Sequence, residues 1–191
     1  VNAVQAGDRE AFATLVDRHK DRVYGVLLRL MADPQIAEEL AHEAFVRAYR
    51  GLDGFRGRSQ FGTWLIQIAV NLARDHIRAR KRSNVVSLDA LLEQDTDSAI
   101  LEDRRPQYDP LADVSEREMR KQLEIALQEL PPGYREVFVL HHIQNIPYDE
   151  IHKITGDTVG SLKVRAHRAR AILKEKLFPD ATRMAPEDIV E

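Results

Sequence analysis

The sequence predicts an all-α protein: two small helical domains joined by a flexible acidic linker, the second domain built on a helix-turn-helix. Three observations carry this expectation. Apolar residues recur at helical spacing through residues 1–82 and again through residues 115–178. Between these stretches, residues 83–114 turn acidic and are interrupted by Pro106 and Pro110. No β pattern of any length and no internal repeat occurs along the 191 residues.

The elements follow in chain order. Val1 to Ala6 reads as the end of a helix whose beginning is missing. Phe12, Leu15, Val16, Val23, Val26, Leu27 and Leu30 form the first long stripe, which Asp33-Pro34 breaks; Pro34 suits the start of the next helix. The second stripe is Ile36, Leu40, Ala44, Phe45, Ala48, Tyr49 and Leu52. Gly51, Gly54 and Gly57 then punctuate a loop. In the third helix Phe61, Trp64, Leu65, Ile68 and Leu72 are expected on the buried face, with Gln67, Asn71, Arg74, Asp75, Arg78, Lys81 and Arg82 opposite. Ser115 and Glu118 have the spacing of a capping box opening the second domain. Met119, Leu123, Ala126, Leu127 and Leu130 continue that helix until Pro131-Pro132-Gly133. After the short apolar segment Tyr134 to His142 and a turn at Asn145-Ile146-Pro147, Tyr148 to Ile154, Gly156 and Val159 to Leu177 have the grammar of a helix-turn-helix. Phe178-Pro179 stops the last helix, and residues 179–191 read as a loose C-terminal tail.

Composition excludes several classes. No apolar run approaches the roughly 20 residues of a membrane span, and no signal-peptide pattern opens the chain. The absence of cysteine excludes disulfides and thiolate metal sites, and fits a reducing cytoplasm. The net charge of −3 argues by itself against a nucleic-acid binder, but the average hides segregation. Arg74, Arg78, Arg80, Lys81 and Arg82 stand against Asp75 alone. From Lys153 to Lys176, seven basic residues stand against Asp157 and Glu175. Local basic stripes, more than total charge, mark a phosphate-binding face.

Three constellations carry candidate chemistry. In the helix-turn-helix, Gly156 permits a tight left-handed turn, Tyr148, Ile151, Ile154, Val159 and Leu162 pack inward, and Ser161, Lys163, Val164, His167, Arg168 and Lys174 project outward. Such a helix fits the major groove, where Arg or Lys pairs with guanine O6 and N7; the bland alternative is a solvated basic helix. The second constellation runs from Phe55 to Arg82, a Gly/Ser loop followed by a helix ending in a basic cluster. Aromatic and polar groups beside cations suit unstacked bases and phosphates. The loop could wall a pocket for a flipped base, with Asn71 supplying amide hydrogen bonds. Trp64 falls on the apolar stripe and reads as core. The third is the helix face Glu38, Glu39, His42, Glu43 and Arg47, whose acids suit a basic or polar protein partner or plain solvation.

In order and spacing these constellations resemble the extracytoplasmic-function (ECF) sigma factors, the smallest group of the bacterial sigma family, over residues 1–177. Gly7-Asp8-Arg9-Glu10-Ala11-Phe12 is similar to that group's opening motif, and Ala37 to Phe45 to its segment that docks on the polymerase β′ clamp helices. Phe55-Arg56-Gly57, Phe61 to Leu65, Ile68 to Asn71 and Asp75 resemble the part that melts and reads the minus-ten element. Leu130-Pro131, Arg135 to Phe138, Tyr148 to Ile151, Val159-Gly160 and Arg165 to Arg170 resemble the minus-thirty-five reader. The chain departs from the group's usual pattern at His42, His152, Asp157-Thr158, Val164 and Ala166.

The resemblance implies a factor without catalysis, cofactor or metal of its own. It binds core RNA polymerase (β′ clamp helices and β flap) and promoter DNA, and is held by an anti-sigma factor that is often membrane-anchored. Residues 1–82 would be region 2, 83–114 a linker threading the polymerase channel, and 115–178 region 4. Minus-ten contacts would come from Phe55, Arg56, Ser59, Gln67 and Asn71, and from Arg74, Asp75, Arg78, Lys81 and Arg82. Minus-thirty-five contacts would come from Ser161, Lys163, Val164, Arg165, His167 and Arg168, and polymerase docking from Glu38, Glu39, His42 and Glu43. One competing reading is a helix-turn-helix regulator that is not a polymerase subunit. Another is a metal-dependent hydrolase using His141, His142, His152, Asp149 and Glu150. Against it, His141 and His142 are adjacent and so face different sides of a helix, and no H-E-x-x-H spacing occurs.

Overall fold

The structure, a computed structural model, describes residues 1–8, 10–86 and 114–179. The chain divides into two units, Val1–Pro106 and Gln107–Glu191, and the described residues of both are helical, without strands. The flexibility expected of the linker and the loose tail fall on residues 87–113 and 180–191, outside the described residues.

The first unit comprises α1 (Asn2–Gln5), α2 (Glu10–Met31), α3 (Pro34–Gly51), a 3-10 turn (Leu52–Gly54) and α4 (Phe61–Val86). Helices α2, α3 and α4 pack on one another pairwise. The predicted break between α2 and α3 is a built cap. Asp33 accepts hydrogen bonds from the backbone N–H of Gln35 (2.9 Å) and Ile36 (3.1 Å), and Pro34 opens the helix where a missing N–H costs nothing.

The buried face of α3 is rotated from the predicted stripe. Ala37, Ala41, Ala44, Phe45 and Ala48 are buried, whereas Ile36 and Leu40 are half-buried and Tyr49 is exposed. Alanine at these positions lets α3 sit close to both α2 and α4, leaving the longer side chains to flank the contact. A similar shift occurs on α4. Phe61, Leu65 and Leu72 are buried as expected, but Ile66, Ala69, Val70 and Ala73 complete the face, while Trp64 and Ile68 are half-buried. The buried arc is wider than one stripe because α4 faces two helices. Helix α4 also runs to Val86, past the expected end at residue 82.

The second unit comprises α5 (Val114–Gln128), α6 (Pro132–Phe138), a π-helical turn (Val139–Ile143), α7 (Tyr148–Thr155) and α8 (Val159–Leu177). Helix α8 packs against α5, α6 and α7. Ala126, Leu127, Leu130, Ala169 and Leu173 form one buried cluster, with Leu123, Tyr134, Phe138, Ile143, Ile172 and Leu177 packed around it. Helix α5 begins at Val114, one residue before the expected capping residue Ser115. The chain reverses at Pro131-Pro132, where Arg135 reaches back to the carbonyls of Leu130 (3.2 Å) and Gln128. Burial pulls the Arg135 guanidinium below its ordinary pKa.

Candidate nucleic-acid interface

The helix-turn-helix is closed by local hydrogen bonds. Gly156 ends α7 at φ +76°, and its N–H donates to the His152 carbonyl. The Asp157 N–H donates to the Thr155 hydroxyl (3.2 Å), and the Thr158 hydroxyl accepts from the Ser161 N–H (3.3 Å), capping α8. Asp157 also takes both arms of the Arg165 guanidinium, at 2.9 and 3.1 Å. The turn Asp157-Thr158, polar in sequence, thus places one residue in a cap and the other in an ion pair.

Helix α8 buries Leu162, Ala166, Ala169 and Leu173 and exposes Lys163, Val164, His167, Arg168 and Lys174. This is the outward row expected from spacing, with two differences. Ser161 is half-buried. Arg165, expected among the DNA contacts, is turned to Asp157 with its side chain only 30 % exposed, because the Asp157 carboxylate holds it through two direct hydrogen bonds. Arg168 has a partner that sequence spacing did not reveal: its guanidinium donates to the Tyr134 hydroxyl at 3.2 Å.

In the first unit, Phe55, Phe61 and Trp64 form an aromatic cluster, with ring centroids 5.0 Å apart for Phe55–Trp64 and 5.8 Å for Phe61–Trp64. Trp64 is therefore half core and half wall of the loop. Around it, Arg56 and Arg58 are exposed, Ser59 is half-buried, and Gly57 turns the loop at φ +66°. Along α4, Asn71, Asp75, Arg78 and Arg82 are exposed and Gln67 and Arg74 are half-buried. Arg78 pairs with Asp75 at 3.3 Å, so two expected contact residues hold each other in a surface ion pair. The side chain of Lys81 lies outside the described residues.

Gln35, Glu38, Glu39, His42 and Glu43 line one shallow acidic groove along α3. The Arg47 guanidinium, 2.7 Å away, holds the Glu43 carboxyl below the usual carboxylate value. The face expected to meet a protein partner is therefore continuous and mainly acidic.

The histidines of the competing metal reading make other contacts. In the π-turn the rings of the adjacent His141 and His142 lie 4.8 Å apart. His141 also stacks on Tyr148 at 3.9 Å and its Nδ1 meets the Ile146 carbonyl at 3.0 Å, while His152 Nδ1 meets the Asp157 carbonyl at 2.8 Å. Among the described residues no group of three or more His, Cys, Asp or Glu is placed to hold a metal. No helix among them is long and apolar enough to cross a membrane.

Comparison with known proteins places both units. The family model for sigma-70 region 2 matches residues 15–83, and that for sigma-70 region 4 matches residues 120–173. The ECF RNA polymerase sigma factor SigW of Bacillus subtilis is 34 % identical over 179 residues, 93 % of this chain and 94 % of that protein. The chain belongs to the ECF sigma factors. Another relative, the RNA polymerase sigma-H factor of Pseudomonas aeruginosa, is 34 % identical over 183 residues, 94 % of this chain and 92 % of that one. The ECF sigma-E factor of Escherichia coli K12 is 34 % identical over 182 residues, covering 94 % and 93 %. Two solved structures share the fold. The sigma factor RpoE, solved with the anti-sigma factor NepR from Bartonella quintana, has a TM-score of 0.70 at 23 % identity, covering 90 % of this chain and 99 % of that one. CnrH, solved with the cytosolic domain of CnrY, has a TM-score of 0.61 at 24 % identity, covering 92 % and 93 %.

Proposed function

We propose that this ECF sigma factor works in the cytoplasm, with residues 1–82 serving as region 2 and residues 115–178 as region 4. The acidic groove of Glu38, Glu39, His42 and Glu43 docks on the β′ clamp helices, and the second unit engages the β flap. Lys163, Val164, His167 and Arg168 on α8 read the minus-thirty-five duplex from the major groove, with Ser161 at the rim. Arg165 fixes the turn through Asp157. The loop Phe55 to Ser59 captures a base flipped from the minus-ten element, Gln67 and Asn71 contact the unstacked strand, and Arg74, Arg78, Lys81 and Arg82 meet phosphates. The factor makes and breaks no covalent bond: binding energy opens the duplex, and polymerase supplies catalysis.

The observation that carries this reading is the exposed row on α8, presented by a turn fastened by the Thr158 cap and the Asp157–Arg165 ion pair. An anti-sigma factor, as NepR is for the RpoE protein of similar fold, would cover the acidic and apolar docking surfaces. Run-off transcription with core polymerase on a promoter library tests the proposal. Promoter-dependent transcripts sharing an upstream and a downstream element are expected. DNA binding without any such transcript would favour a regulator that is not a polymerase subunit.

A further inference from the structure

The strongest geometric feature outside the contact residues lies at the start of the first unit. Gly7 adopts φ +99°, a conformation that folds α1 back on the chain that follows it. The turn is fastened by the Gly7 N–H to the Val4 carbonyl (2.9 Å) and the Asp8 N–H to the Ala3 carbonyl (3.0 Å). The Asp8 carboxylate accepts from the Ala11 N–H (3.1 Å) at the opening of α2. This hairpin delivers Gln5 to the 3-10 turn about fifty residues downstream. Its Nε2 donates to the Leu52 carbonyl (2.9 Å) and to the Phe55 carbonyl (3.1 Å). The Leu52 carbonyl also accepts from the Phe55 N–H (3.0 Å), so one amide group ties both ends of the turn that releases the loop.

We infer that Gln5 is a positioning residue for promoter opening: its amide sets the angle at which the Phe55 loop leaves the helical core. The inference rests on the base-capturing role proposed above for that loop. Two donors on one nitrogen meet the carbonyls of Leu52 and Phe55, one of which also closes the 3-10 turn. With both bonds made, the Phe55 ring stays against Trp64 at 5.0 Å and the loop backbone starts from one place. Without them the turn keeps its backbone bonds and the Phe55 ring its contacts with Phe61 and Trp64, and the loop is held less tightly. A base can be captured only by a wall that already stands where the base arrives, so looseness there slows opening and leaves upstream duplex binding untouched. Gln5 itself is exposed and lies outside the buried core, so replacing it leaves the helical packing intact.

Two variants of the full chain test this, Gln5→Glu and Gln5→Met. Glutamate keeps the shape but turns oxygens toward the two carbonyls; methionine keeps the length without a donor. Each is assembled with core polymerase on a promoter recovered from run-off selection. Closed-complex binding to the duplex, permanganate reactivity of the melted thymines and Trp64 emission are measured. Both variants are expected to bind the closed duplex like the parent, open it about three- to tenfold more slowly, and shift Trp64 emission as Phe55 leaves it. Equal opening rates for parent and both variants would overturn the inference while leaving the proposed function standing. A parent that opens no promoter at all would overturn both. Slower opening with an equal loss of duplex binding would also count against Gln5, since a general structural defect lowers both.

Discussion

Replacing Asp157 should loosen the helix-turn-helix more than a surface charge normally does. The Asp157–Arg165 pair is bidentate, at 2.9 and 3.1 Å, with side chains 26 % and 30 % exposed. Exposed ion pairs contribute about 0.2–1 kcal/mol, whereas removing one partner of a fully buried pair costs about 3–5 kcal/mol. The partial burial and two-armed geometry place this pair between those limits. Arg165 also rests against the start of α6, where a Cβ added at Gly133 would lie 3.7 Å from its Nη1. We therefore expect Asp157→Ala to destabilise the second unit by about 2 kcal/mol, a fall of about 10 °C in its melting midpoint for a unit of this size. Arg165→Ala and the double variant complete a thermodynamic cycle, and a coupling energy of about 1–1.5 kcal/mol is expected. Far-UV circular dichroism follows the melt. The single tryptophan, Trp64, belongs to the first unit and serves as an internal control whose transition should not move. A coupling energy below about 0.3 kcal/mol, the range within which independent sites add, would refute the idea that the pair braces the turn.

Gly156→Ala should cost the second unit about 1–2 kcal/mol, because φ is +76° and the space around an added Cβ is open, so the cost is backbone strain alone; Gly156→Asn should cost less, and equal melting of all three forms would contradict this. Arg168→Ala should weaken binding to the upstream duplex by about 1–3 kcal/mol and relax the preference at one base pair; Tyr134→Phe should reproduce a fraction of that loss by removing the bond at 3.2 Å, and unchanged titrations would exclude both. Asn71→Ala should lower permanganate reactivity of the melted region while leaving duplex binding intact; the reverse pattern would remove Asn71 from the strand-reading face. Burial, then the neighbouring His141 and Arg170, lower the His142 pKa below its ordinary 6.5. The unfolded chain therefore binds that proton more readily, and stability should be full above about pH 6.5 and fall as pH drops toward the folded value. The melting midpoint of His142→Leu should vary less with pH over that window, and an unchanged slope would contradict the assignment.

Much of the fold was legible because the signals are local. Asp33-Pro34, Pro131-Pro132 and Gly156 mark helix ends by rules that need only neighbouring residues, and the structure places caps or turns at each. The inner face of the second helix of the helix-turn-helix was readable at Leu162, which is buried, and less so at Val159, which is half-buried; Ala166, Ala169 and Leu173 complete it. What escaped depends on which neighbour a residue meets. Alanine carries little pattern weight, so the buried face of α3 was assigned to larger residues beside it. The π-turn at Val139–Ile143 has no composition signature in an apolar run. Arg165 looked like any other basic residue until Asp157, eight positions earlier, proved to be its partner. Gln5 met its acceptors across 47 and 50 residues, a separation that periodicity does not encode.

Among the described residues, each hydrophobic core draws on a contiguous stretch of chain, from Leu15 to Ala73 in the first unit and from Ala126 to Leu173 in the second. That arrangement has a consequence for biosynthesis. Every buried side chain of the first core has been polymerised before any of the second, and domains fold as units, N-terminal first, as the ribosome releases them. The acidic groove on α3 and the loop that starts at Phe55 are then complete on a nascent chain that has not yet made its helix-turn-helix. A ligand of the first unit can therefore engage the factor during translation, ahead of any contact with an upstream promoter element.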